Sequence, residues 1–308
     1  FSDTPGYDDF YGQVLAASRV ADAALLLVDA VAGIQVGSSR AWKRCETLKL
    51  PRAIVITGLD RENTDFVKTL AAIQSLWGAQ CVPVVLPAGG KLLDILAADT
   101  EETRAHKNNL TERAAESDDA MLEKFLAGTA LSPEELGAGL RKAVRAGNLI
   151  PVFAAQALKD VGINELLEGI ARLLPSPDEI QVKDKGGAAI NPAADASFTG
   201  FVWRIVTDPF AGKLTYLRVY GGTLKEGQEL INVTQGQKER VGAFFCGGGK
   251  KLIPAGEARA GEIVALAKLK VTRLNDVLCS AGHKATFEPI VFPAPVVSMA
   301  AFARERSD

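Results

Sequence analysis

An α/β unit with a mostly parallel sheet, followed by a small β-barrel, is the fold this sequence predicts. Three observations predict it. Up to about residue 180, short apolar runs alternate with amphipathic helical stretches, which is the rhythm of βαβ units. From about residue 197 the apolar period shortens towards two and glycine turns become frequent, the pattern of a small barrel. Between them, residues 181–196 carry Lys185-Gly186-Gly187 and Asn191-Pro192 and read as a linker.

The elements follow in order. Phe1 is read as lying inside a strand that ends before Gly6, and residues 13–23 as a helix. The unbroken apolar run 24–28 predicts a strand buried on both faces. Helix 38–48, strand 53–56, helix 65–77 and strand 82–86 continue the alternation. A stretch of polar helices is expected over about 87–147. Within it, Ser132-Pro133-Glu134-Glu135 is a capping box with proline at the first helical position, and Gly147 is the stop. Strand 150–154 and helix 163–174 complete the first unit, residues 1–180, before Pro175-Ser176-Pro177 breaks the helix. In the barrel unit, 197–290, strands are expected at 198–206, 213–220 and 262–268, with a turn at Asp208-Pro209. Leu217 and Val219 share one strand face, Arg218 and Tyr220 the other. Residues 291–308 read as the start of a third domain, its first strand at 296–301.

The length of 308 residues fits about two domains. A net charge of −2 excludes a global basic field, so any nucleic-acid contact must be local. Cys45, Cys81, Cys246 and Cys279 form no CxxC pair and, with His106 and His283, offer no zinc-ligand spacing; they read as free thiols of a cytosolic protein. No apolar run reaches the roughly 18–20 residues of a membrane helix. The chain starts without methionine and stops just after a strand begins, so it is expected to be a piece of a longer protein, with no signal peptide.

Acidic residues recur where successive strands end: Asp3-Thr4-Pro5-Gly6, then Asp29, then Thr57-Gly58-Leu59-Asp60. Nucleotides bind at the carboxyl ends of strands in open α/β sheets. A glycine there lets its N–H approach a phosphate, and a preceding aspartate can reach the metal shell of a nucleoside triphosphate. A strand-to-helix turn and a helix cap would use the same residue types without any ligand.

At these residues the chain resembles the elongation factor G family, the translational GTPases that drive translocation on the ribosome. Val31-Ala32-Gly33-Ile34-Gln35-Val36-Gly37 with Arg40-Ala41-Trp42, the insert and strand over 110–153, the helix within 162–177, and Val206-Thr207-Asp208-Pro209-Phe210 with Gly212-Lys213-Leu214 all carry the resemblance. It implies a P-loop NTPase-type G domain, truncated at its N-terminus, with the stretch 87–147 as its helical insert and most of that insert's small sheet missing, followed by a β-barrel. GTP/GDP and Mg2+ would be its cofactors and the ribosome, through the RNA of both subunits, its partner. A monomer in the cytoplasm is implied, without membrane or DNA.

The resemblance also assigns roles. Asp3 would hold magnesium through water, and Asp3, Thr4, Pro5 and Gly6 would form the γ-phosphate loop. Tyr7 stands where the family usually has the histidine that orients the attacking water; some paralogues carry tyrosine there. A neutral phenol cannot supply an imidazolium-like charge. Thr57, Gly58, Leu59 and Asp60 occupy the Asn-Lys-x-Asp position; Asp60 would accept from guanine N1–H and N2–H2, while Gly58 lacks the lysine stem. Gln156 and Ala157 fall in the loop whose backbone N–H meets guanine O6. Arg218, Lys213, Lys250 and Lys251 are candidates for ribosomal RNA contact, or else solvated barrel charges. Nowhere is there a Gly-x-x-x-x-Gly-Lys-[Ser/Thr] loop; Gly247-Gly248-Gly249-Lys250-Lys251 lacks its leading glycine and precedes Leu252. The P-loop is expected upstream of Phe1. A ribosome-binding paralogue that has lost GTPase activity is the rival reading, favoured by Tyr7, Thr57 and Gly58. An unrelated nucleotide enzyme would need a GxGxxG turn, which is absent.

Overall fold

A computed structural model describes residues 1–98, 100–208, 212–248, 251–295, 297–300 and 302. Residues 1–6 form no strand, contrary to the expectation at Phe1, because no described strand pairs with them. The chain enters α1 (Tyr11–Val20), then β1 (Ala24–Asp29), α2 (Val36–Leu48), β2 (Arg52–Thr57), α3 (Phe66–Trp77) and β3 (Cys81–Pro83). A hairpin follows, β4 (Val85–Ala88) and β5 (Lys91–Asp94), before α4 (Glu101–Ala115), α5 (Asp119–Leu126), α6 (Pro133–Ala146), β6 (Ile150–Ala154) and α7 (Ile163–Leu173).

The four-stranded sheet runs β1-β2-β6-β3, every pair parallel. Its central strands are apolar from Ala53 to Ile56 and from Ile150 to Ala154, with Ile54, Ile56 and Phe153 fully buried, because helices cover both faces. β1 departs from the expected two-sided burial. It is the edge of the described sheet, and Leu27 is 64% exposed. Against the helices, Trp42 and Trp77 stack at 4.6 Å, and the Arg52 guanidinium lies 3.9 Å from the Trp42 ring centre.

The apolar run read as one strand over 82–86 divides at Val84. Its first part joins the parallel sheet, and its second turns out into the β4–β5 hairpin. Gly89 and Gly90, at φ +57° and +79°, make the tight reversal that the twist of a two-residue hairpin requires. A two-stranded sheet therefore stands beside the polar helices of this stretch. α6 starts as the sequence dictates: the Glu135 N–H donates to Ser132 Oγ at 3.2 Å, and the Ser132 N–H to the Glu135 carboxylate at 2.9 Å. Gly139 lets α6 lie close on α4, since a Cβ there would stand 2.7 Å from the Ala114 carbonyl oxygen.

The second unit comprises β7 (Thr199–Asp208), β8 (Gly212–Gly221), β9 (Thr223–Lys225), β10 (Glu229–Asn232), β11 (Gln237–Arg240), β12 (Phe244–Gly248), β13 (Lys251–Ala255), β14 (Glu257–Arg259), β15 (Ile263–Ala267) and β16 (Val277–Cys279). Eight of these form one antiparallel sheet in the order β11-β10-β16-β7-β8-β15-β12-β13. It curls around a core that includes Phe198, Leu217, Val219, Phe244, Val264 and Leu278. A buried carboxylate ties its loops: Glu239 accepts from the N–H groups of Lys270, Val271 and Thr272 and from the Thr272 hydroxyl, at 2.8–3.2 Å.

The two units share a second core. Leu15, Ala16 and Val20 of α1 pack with Phe201, Trp203, Tyr220, Phe287 and Ile290 of the barrel unit. The Arg19 guanidinium sits 4.9 Å from the Phe201 ring centre. The β8 face bearing Arg218 and Tyr220 is therefore buried too, at 6% and 7% exposure. The turn at Pro209 and Phe210, Lys250, and both ends of the strand read over 296–301 lie outside the described residues, as do residues 303–308. No helix among the described residues is long and apolar enough to cross a membrane.

Candidate functional site

Parallel pairing places three strand ends side by side. Asp29 is in register with Thr57, Ile56 with Ala154, and the Ala155 N–H donates to the Ile56 carbonyl at 3.0 Å. The loops leaving β1, β2 and β6 consequently share the carboxyl edge of the sheet, where an open α/β sheet binds its ligand.

The β1 loop is organised by Asp29. Its carboxylate accepts from the Val31 N–H at 2.9 Å and the Ala32 N–H at 3.0 Å, and pairs with the Arg61 guanidinium. The Ala32 N–H, then the Arg61 bond, hold the Asp29 carboxyl below the usual aspartate range.

In the β2 loop, Thr57, Gly58, Leu59 and Asp60 are all half-buried. Gly58 has φ +71°, a left-handed conformation that other residues adopt with strain. The Arg61 N–H closes the turn onto the Gly58 carbonyl at 3.2 Å. The Asp60 carboxylate has no hydrogen bond or ion pair among the described residues, so its acceptor capacity remains available.

The β6 loop refines the expected backbone donor. The Gln156 N–H is already committed to the Val161 carbonyl at 2.9 Å. Ala157 is exposed, and its N–H makes no bond among the described residues. Of the two residues singled out, Ala157 has the free donor.

Asp3, Pro5, Gly6 and Tyr7 are exposed and Thr4 half-buried, with Tyr7 at 78%. A Cβ at Gly6 would meet nothing within 4 Å, so the space in front of its backbone is open to a ligand. α2 brings this loop to the same sheet edge. A Cβ at Gly37 would stand 3.2 Å from the Gly6 carbonyl oxygen, and Arg40 pairs with Asp8 at 2.8 Å. Asp3 makes no bond among the described residues; an exposed, uncommitted carboxylate suits a hard cation such as magnesium.

The barrel cations separate under this geometry. Arg218 is buried against Asp22 at 2.6 Å, which corrects its reading as an RNA contact. Lys213 donates to the Thr272 carbonyl at 2.6 Å, so its ammonium is already engaged. Lys251 is exposed. Arg61 is the residue that the sequence motif does not single out; the signal is a cation three positions after a glycine that replaces a lysine.

Two family models match the chain in tandem. The one described as the Elongation factor Tu GTP binding domain matches residues 1–176. The one described as Elongation factor G domain 2 matches residues 197–281. A crystal structure of a Thermus thermophilus protein is similar over 96% of this chain, at 32% identity and a TM-score of 0.81. The match covers 46% of that chain, so the present sequence spans about half its length.

Proposed function

The chain belongs to the translational GTPases of the elongation factor G type, and on that premise we propose that it is the GTP-binding and ribosome-docking part of a factor promoting ribosomal translocation. One observation carries the reading: the free Asp60 carboxylate and the free Ala157 N–H lie on loops that leave neighbouring strands. Together they present an acceptor and a donor, the pair that the Watson–Crick edge of guanine requires.

In this reading residues 1–180 bind guanine nucleotide, residues 197–290 dock on ribosomal RNA, and residues 291–308 open a third domain. Lys251 is the described barrel cation offered to RNA. The Gly6 N–H is offered to the γ-phosphate. Asp3 would hold magnesium through water; that ion neutralises charge on the phosphate oxygens. Tyr7 orients the attacking water through its hydroxyl. The factor works as a cytoplasmic monomer. A second reading, a ribosome-binding paralogue with degenerate GTPase activity, is favoured by the exposed phenol of Tyr7 and by Gly58.

The test is equilibrium binding of GDP and ADP to the full-length protein and its Asp60→Ala variant. GDP should bind the wild type more tightly than ADP. Asp60→Ala should weaken GDP roughly 10- to 100-fold, as loss of a charged hydrogen-bond acceptor does, and leave ADP unchanged. Equal affinity of the wild type for both nucleotides would sink the reading.

A further inference from the structure

Gly58 and Arg61 are two halves of one arrangement. A Cβ built at Gly58 would stand 2.9 Å from both Cζ and Nε of Arg61. The guanidinium therefore lies in the volume where a side chain at position 58 would begin. It is held there by Asp29, itself fixed by the Val31 and Ala32 N–H groups. A larger residue at 58 would have to break that pairing to displace the arginine. The pairing leaves the Arg61 side chain 48% exposed, next in sequence to the uncommitted Asp60 carboxylate. A guanidinium is planar, permanently charged and weakly hydrated, and it stacks well on aromatic faces.

We propose that Arg61 is the base-stacking cation of the nucleotide site. Latched over Gly58 by Asp29, it offers a flat cationic surface to a purine whose edge is read by Asp60. This rests on the carboxyl edge of the sheet being the guanine-nucleotide site. The assignment divides the labour: Asp60 selects guanine, and Arg61 adds affinity for any purine without selecting between them.

The test is binding of GDP, ADP and inorganic pyrophosphate to the full-length protein and its Arg61→Ala and Arg61→Lys variants. Arg61→Ala should weaken GDP and ADP alike, by about tenfold, the range of a cation–π contact. Pyrophosphate, which has no base, should bind as before. Arg61→Lys keeps a charge for Asp29 but lacks the plane; it should lose about threefold on both nucleotides and protects the test if the alanine variant fails to fold. Variants that bind GDP like the wild type would overturn the assignment to Arg61 alone. A parallel loss of pyrophosphate would also overturn it, because Arg61 would then merely hold the strand ends together. A wild type that binds GDP no better than pyrophosphate would defeat the nucleotide-site reading itself, and this inference with it.

Discussion

Arg218, in the middle of a barrel strand, donates from Nη2 to the Asp22 carboxylate at 2.6 Å, across the junction of the two units. Their side chains are only 7% and 19% exposed. Asp22 lies two residues after the end of α1, and α1 begins four residues after Tyr7. One helix thus connects the loop around Gly6 to a buried ion pair in the barrel. Desolvating the two charges is costly, and Arg218 Nε has no hydrogen-bond partner among the described residues. A pair of this kind therefore adds little net stability.

Removing one partner should expose that cost. Asp22→Ala strands a buried guanidinium and is expected to destabilise the protein by about 3 kcal/mol. The double variant Asp22→Ala/Arg218→Met should recover most of the loss, since no charge is left unpaired. Urea unfolding of the three proteins checks this. Equal stability of the single and double variants would refute it.

Glu239 gives the barrel an acid-sensitive fastening. Burial raises its carboxyl pKa, but the Val271 N–H, the Thr272 hydroxyl and two further N–H groups outweigh burial and hold it below the usual glutamate value. A depressed folded pKa means that the stabilisation is complete above the unfolded value, about 4.3. It is lost as pH falls through the lower folded value. Stability should therefore drop below about pH 4, and Glu239→Gln should flatten that part of the curve while lowering the neutral plateau. Urea midpoints measured between about pH 2.5 and 7 decide it; identical acid slopes would count against the role.

Tyr7 is placed to touch water but cannot carry an imidazolium charge. Tyr7→His in the full-length protein should raise ribosome-stimulated GTP turnover, by up to roughly 100-fold. The gained activity should titrate near an apparent pKa of about 6.5. Single-turnover hydrolysis across pH measures this. An unchanged rate would mean that position 7 does not limit the chemistry, and would strengthen the degenerate-paralogue reading.

What the sequence revealed depended on how local the cause was. Strand β6 was legible because its five residues are buried on every side, so hydrophobicity alone marks it. Helix α6 was legible because Ser132, Pro133, Glu135 and Gly147 spell its ends. The β4–β5 hairpin was not, since the run from Val82 to Leu86 is continuously apolar although Val84 divides it between two sheets. Alternation puts Arg218 on the polar face of its strand; only the docking of α1 shows that this face is buried. The sequence resemblance pointed to Thr57, Gly58, Leu59 and Asp60 and to Gln156 and Ala157, whereas the return of Arg61 over Gly58 is a side-chain direction that no spacing records.

The Trp42–Trp77 stack has a practical consequence. The chain has three tryptophans. Two of them lie face to face at an interplanar angle of 3°, close enough for their electronic transitions to couple. The third, Trp203, sits in the shared core, 6.1 Å from Tyr216. Near-ultraviolet circular dichroism therefore carries two separable signatures, a coupled-pair band from the parallel-sheet half and a single-indole band from the junction. The protein comes with its own internal optical labels, able to distinguish undocking of the halves from melting of either one.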